Sequence, residues 1–132
     1  MNFDALATAW APRLLSILRI MTGLLFLQHG TAKLLKIPVM PMFANLSLTS
    51  LPGIAGILEL VGGVLIILGL FTRSIAFVLS GLMAVAYFMA HAPRGFYPIL
   101  NAGELAILYC FVFLYFAAAG PGPWSVDAAR RK

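Results

Sequence analysis

The side chains able to do chemistry here are few: His29, Lys33, Glu59, His91 and Glu104. Glutamates can exchange protons, and imidazoles can hydrogen-bond a carbonyl oxygen of a bound molecule. Glu59 stands out because it interrupts Leu51–Arg73, LPGIAGILELVGGVLIILGLFTR, among Gly56, Gly62, Gly63 and Gly69. That stretch is apolar enough to cross a bilayer, where a charge is costly unless it faces protein or water.

Other chemistries lack their patterns. There is no P-loop, glycine-rich dinucleotide motif, serine elbow or zinc spacing. Cys110 stands alone in an apolar run, which excludes an intramolecular disulfide, a CxxC couple and a thiolate metal site. It reads as a small buried apolar residue. Haem ligation by His29 and His91 has no supporting haem-binding pattern, so neither haem nor metal is expected. No residue is assigned a catalytic role.

The elements that must position these groups follow from composition. In 132 residues, 62% are hydrophobic and 10% charged. With a mean hydropathy of +1.00, the chain reads as one all-α integral membrane domain, 1–132. The net charge of +5 does not imply nucleic acid, because the bases do not interleave with aromatics. Arg130, Arg131 and Lys132 close the chain while Arg13 and Arg73 flank apolar segments, a distribution suited to membrane lipid.

Four spans are predicted, at about 13–35, 53–71, 74–91 and 101–119, forming a four-helix bundle. Met1–Pro12 is expected to be an amphipathic interfacial lead-in, and a cleaved signal peptide is not expected. In the first span Arg19, Gly23, Phe26, Gly30 and Lys33 share one helical stripe, with Gln28 and His29 on either side. The connection 36–52 holds Pro38 and Pro41 but also Met40, Met42 and Phe43, so it reads as an interfacial cap or a substrate lid. In the second span Gly56, Glu59 and Gly63 share a face. A tight turn makes a hairpin of the second and third spans. Ser80, Ala84, Tyr87 and His91 mark one face of the third, and Ala92–Leu100 reads as a turn. Asn101 is expected to cap the fourth span, with Glu104 on its first turn.

Four spans put both termini on one side, with Arg13, Arg73, Arg130, Arg131 and Lys132, so the termini are expected to be cytoplasmic. At about 1.5 Å per residue, His29 and Glu59 lie about 9 Å below the opposite surface and Glu104 about 5 Å below it, with Lys33 and His91 in the same layer. Arg19 falls about 15 Å from Glu59 by this estimate. Its expected partners are Asp127, carbonyls at the end of the fourth helix, or lipid phosphate. Two readings of the outer layer stand: structural glue, or a polar pocket for a quinone-like or lipid-like ligand.

The ordered pattern resembles the DoxX family of small bacterial four-helix membrane proteins. The matching features are Arg19…Gly23…Phe26…Gly30…Lys33; Gly56-x-x-Glu59-x-x-Gly62-Gly63; Gly69-Leu70-x-x-Arg73-x-x-Ala76; His91; Asn101-x-Gly103-Glu104; and the closing Gly120–Asp127 segment. The resemblance implies a multi-pass protein of the bacterial cytoplasmic (inner) membrane, associated with quinone-dependent redox chemistry, since founding members are associated with thiosulfate:quinone oxidoreductase. A quinone is the implied ligand and redox proteins are the implied partners. The family's polar positions here are Arg19, Lys33, Glu59, Arg73, His91, Glu104 and Asp127, of which Arg19, Arg73 and Asp127 read as structural. Cys110 has no paired thiol, which speaks against thiosulfate oxidation by this chain alone. Other readings are a scaffold or assembly protein and a small-solute transporter. A homodimer through the glycine faces is a further expectation.

Overall fold

The structure is a computed structural model that describes Asn2–Arg131; the terminal base Lys132 lies outside the described residues. The described residues contain helices and no strand. The segments Phe3–Leu34, Leu51–Leu68 and Thr72–Arg94 are long and apolar enough to cross a membrane, and Glu104–Ala119 is a shorter apolar helix.

Helix α1 runs Phe3–Leu34, and Asn2 caps it by accepting from the Ala5 N–H at 2.7 Å. This corrects the expected separate lead-in, because Pro12 lies inside a continuous helix. Proline's fixed φ is itself helical, so in the helix interior Pro12 costs the hydrogen bond to the Thr8 carbonyl and a local clash with it. Residues 35–50 carry a single 3-10 turn at Pro41–Phe43. Helix α2 spans Leu51–Leu68, with Ser50 accepting from the Gly53 N–H and Pro52 at the first turn. It stops before the expected boundary because Gly69, at φ +66°, turns left-handed and returns its N–H to the last carbonyls.

Two compact units divide the chain, one comprising residues up to Thr72 together with Pro121 onward, the other Arg73–Gly120. In the first, α1 and α2 lie antiparallel along a seam of glycines. Gly23 sits beside Ile67, Gly63 beside Leu27, Gly30 beside Leu60 and Gly56 beside Lys33. A Cβ on Gly30 would come within 2.6 Å of the Leu60 backbone nitrogen. The glycine faces are therefore used within the monomer.

The second unit holds most of helix α3, Thr72–Ala86, and then a wide π turn at Tyr87–His91 and a 3-10 turn at Ala92–Arg94. The short helix α4, Pro98–Asn101, precedes α5, Glu104–Ala119. The expected N-cap at Asn101 is corrected. Asn101 closes α4, Ala102 follows with φ +61°, and Gly103 precedes α5. Ser80 Oγ donates to the Cys110 carbonyl at 2.7 Å, tying α3 to α5. Helix α6, Val126–Arg130, belongs to the first unit.

The seam makes a direct prediction. Gly30→Ala must push backbone from backbone and is expected to cost on the order of 1–3 kcal/mol. Gly81→Ala, where an added Cβ meets nothing within 4 Å, is expected to be neutral or to gain up to about 1 kcal/mol. Thermal unfolding of both variants in one detergent checks the contrast.

Candidate functional site

The glycine seam brings Lys33 of α1 against Glu59 of α2. The Lys33 stem lies along Gly56, whose added Cβ would stand 3.1 Å from Lys33 Cβ. Its Nζ reaches Glu59 Oε1 at 2.8 Å, in a pair whose side chains are 13% and 5% exposed. The other carboxylate oxygen, Oε2, is buried and has no hydrogen-bond partner among the described residues. A buried acceptor left without a donor costs about 1–3 kcal/mol, more when charged, so its persistence calls for a reason. His29, half-buried, lies one turn before Lys33 on α1.

The connection after α1 contributes two groups that sequence reasoning did not place in the site. The Phe43 ring lies 5.6 Å from Lys33 Nζ, a cation–π arrangement. Lys36 Nζ donates to the Lys33 carbonyl at 3.0 Å and to the Phe43 carbonyl at 2.5 Å, which fixes that ring's backbone. The available signals were the Lys33/Lys36 spacing and an aromatic just after Pro41 in a loop too apolar for water.

A second polar centre lies further down α1. Arg19 is fully buried. Its Nε donates to the Ile66 carbonyl at 2.9 Å and one Nη to the Trp124 carbonyl at 2.7 Å. The guanidinium also donates to the carbonyls of Ile67 and Pro121. Carbonyls are among the expected partners, but those found belong to Pro121 and Trp124, past the end of α5, and to the last turn of α2 rather than to the end of the fourth helix. Ser16 Oγ accepts from the Trp124 N–H at 3.0 Å, adding a further tie between α1 and the tail.

Asp127 does not hydrogen-bond Arg19. Its carboxylate accepts from the N–H groups of Phe71 and Thr72, both at 2.9 Å, while its own N–H donates to the Gly69 carbonyl. Phe71 has φ +53°, and the Arg130 guanidinium lies 5.4 Å from its ring. Burial pushes the Asp127 carboxyl up, but the Thr72 and Phe71 N–H donors and the Arg131 charge prevail and hold it below its ordinary value. Asp127 thus ties the tail to the turn that leads into α3.

The remaining predicted site residues lie in the second unit. His91 Nδ1 is 3.0 Å from the Asn101 carbonyl. A carbonyl only accepts, so Nδ1 carries the proton and Nε2 of the neutral ring keeps a lone pair. Its ring stacks on Tyr87 at 6.3 Å across the π turn. Asn101, fully buried, donates to Tyr87 Oη and the Gly95 carbonyl and accepts from the Gly103 N–H. Glu104 is exposed on the first turn of α5, on the same side as the exposed Leu108, Phe111 and Tyr115. Arg73 donates to the carbonyls of Ala117 and Ala118 at the end of α5. Among the described residues, no group of three His, Cys, Asp or Glu side chains is arranged to hold a metal ion.

Comparison with known proteins adds relatives to this geometry. The family model described as DoxX matches residues 14–92. An uncharacterized protein of Haemophilus influenzae is 46% identical over 122 residues, covering 89% of this chain and 91% of its own length. An uncharacterized membrane protein of Mycobacterium tuberculosis is 29% identical over 151 residues, covering 96% of this chain and 86% of its own length. No solved structure matches.

Two predictions follow for the lower centre. Arg19→Met strips buried carbonyls of their donor and is expected to cost on the order of 3 kcal/mol or more in unfolding free energy, with Arg19→Lys intermediate. Asp127→Asn is expected to cost about 1 kcal/mol, the scale of a lost helix cap. A carboxyl held low contributes fully above the ordinary carboxylate range, about pH 4, and loses that contribution as pH falls through its depressed value. The stability gap between wild type and Asp127→Asn should therefore be constant from neutral pH to about pH 5 and close below the carboxylate range. A gap that persists at low pH would overturn the assignment.

Proposed function

We propose, from the premise that this chain belongs to the DoxX family, a four-span membrane subunit that binds a small quinone-type molecule at Lys33 and Glu59 for quinone-linked redox chemistry. The observation that carries this reading is the orphaned, buried Glu59 Oε2 beside a paired ammonium and an aromatic ring. Structural glue alone would favour saturating that oxygen, as the lower centre saturates Arg19. A buried acceptor without a protein donor at an otherwise tight helix contact suits a ligand that brings its own donor. In this reading the chain sits in a bacterial inner membrane with its termini cytoplasmic. The site faces the opposite half of the bilayer, and a partner protein exchanges electrons with the bound molecule.

A scaffold reading has its own support in the Arg19 cage and the Asp127 contacts, which hold helix ends and tail together. The two readings separate in one experiment. Protein extracted in native nanodiscs is expected to carry isoprenoid quinone enriched over the surrounding membrane when its lipids are analysed by mass spectrometry. A Lys33→Met/Glu59→Leu double variant should lose that enrichment yet remain folded, because apolar replacement of a buried pair is often neutral for stability. No enrichment in the wild type would leave the scaffold reading.

A further inference from the structure

We propose that the Lys33–Glu59 pair selects its ligand by a hydroxyl group, so that the site takes the reduced, hydroquinone form in preference to the quinone. The inference rests on the reading of this site as one for a quinone-type molecule and narrows which member of the redox couple it holds.

The argument is one of donors and acceptors. An ammonium only donates hydrogen bonds and a carboxylate only accepts them. The 2.8 Å contact between Lys33 Nζ and Glu59 Oε1 is a hydrogen bond donated by Lys33, so Oε1 is already taken as an acceptor. Glu59 is 4% exposed and its Oε2 lacks a donor. The occupant that satisfies Oε2 must bring a proton to it.

A quinone oxygen cannot do so, because it only accepts. It can accept from Lys33, but it would set a partly negative oxygen beside a buried carboxylate whose Oε2 still lacks a donor. A hydroquinone hydroxyl does both jobs. Its O–H donates to Glu59 Oε2, and its oxygen lone pair accepts from one of the Lys33 N–H groups not used by Oε1. The Phe43 ring, 5.6 Å from Lys33 Nζ, supplies an aromatic neighbour at the same place. Lys36 holds the Phe43 backbone in position through its carbonyl. Hydrogen bonds to a charged group are worth about 1.5–3 kcal/mol, which sets the expected discrimination at about tenfold or more.

Glu59→Gln tests the logic without emptying the site. With its carbonyl oxygen turned to Lys33, the glutamine amide presents NH2 where Oε2 stood. The acceptor becomes a donor, and the preference should reverse toward the quinone. The probes are duroquinol and duroquinone, measured anaerobically by equilibrium binding to the full chain in nanodiscs, with empty nanodiscs subtracted for lipid partition. The expected result is at least about tenfold tighter binding of duroquinol by the wild type, with the order reversed in Glu59→Gln. Equal binding, or tighter duroquinone, in the wild type would overturn the hydroxyl inference while leaving a quinone-type site. Binding of neither above empty discs would overturn both. Should Glu59→Gln fail to fold, the wild-type ratio decides alone.

Discussion

The Arg19 guanidinium is the interaction on which the first unit depends. A cation inside an apolar helix pair cannot stay unsolvated, and this one replaces water with carbonyl oxygens from two places. Ile66 and Ile67 lie in the last turn of α2, where the helix end is partly negative and the Ile66 carbonyl otherwise has only the Gly69 N–H. Pro121 and Trp124 lie in a Gly-Pro-Gly-Pro-Trp stretch whose prolines offer no N–H of their own. One planar fork of donors therefore solves three problems at once: its own desolvation, the end of α2, and the anchoring of a tail poor in backbone donors. With the tail fixed, Asp127 can reach the two N–H groups at the start of α3 and hold Phe71 in its left-handed conformation.

The seam that leads away from Arg19 sets the other polar centre. Gly23, Gly30, Gly56 and Gly63 let the backbones approach so closely that their register is fixed by contact rather than by side-chain fit. That register places Lys33 opposite Glu59, about 21 Å along α1 from Arg19. Two charged groups of opposite sign in the same pair of helices are thus kept from meeting, and each finds a different solution. Arg19 is surrounded by acceptors, whereas Glu59 keeps one oxygen without a donor.

Much of this arrangement was legible in the residues. The apolar runs, the glycine stripe and the depth of the polar groups placed Lys33 with Glu59 and separated both from Arg19. The misses have physical causes. A carbonyl acceptor leaves no mark in a side-chain pattern, so the backbone cage around Arg19 could be named only as one option among three. Pro12 reads as a boundary by propensity, yet α1 passes through it with one backbone bond lost. Asn101 has a capping side chain, but the left-handed Ala102 places it before the break rather than at the start of α5. The π turn at Tyr87–His91 adds width to a helix without changing its composition, so spacing alone could not reveal it.

The contrast between the two centres bears on why an open polar atom can persist. An orphaned oxygen of Glu59 is a local loss of stability, and a pair of helices held only by small residues would be free to twist and bury it differently. The saturated cage at the other end removes that freedom. It pins α1, the end of α2 and the tail together, and the glycine contacts transmit the fixed register up to Lys33. A rigid lower end therefore permits an unsatisfied upper one. Glu59 faces the inside of the α1–α2 contact with half of its carboxylate spoken for.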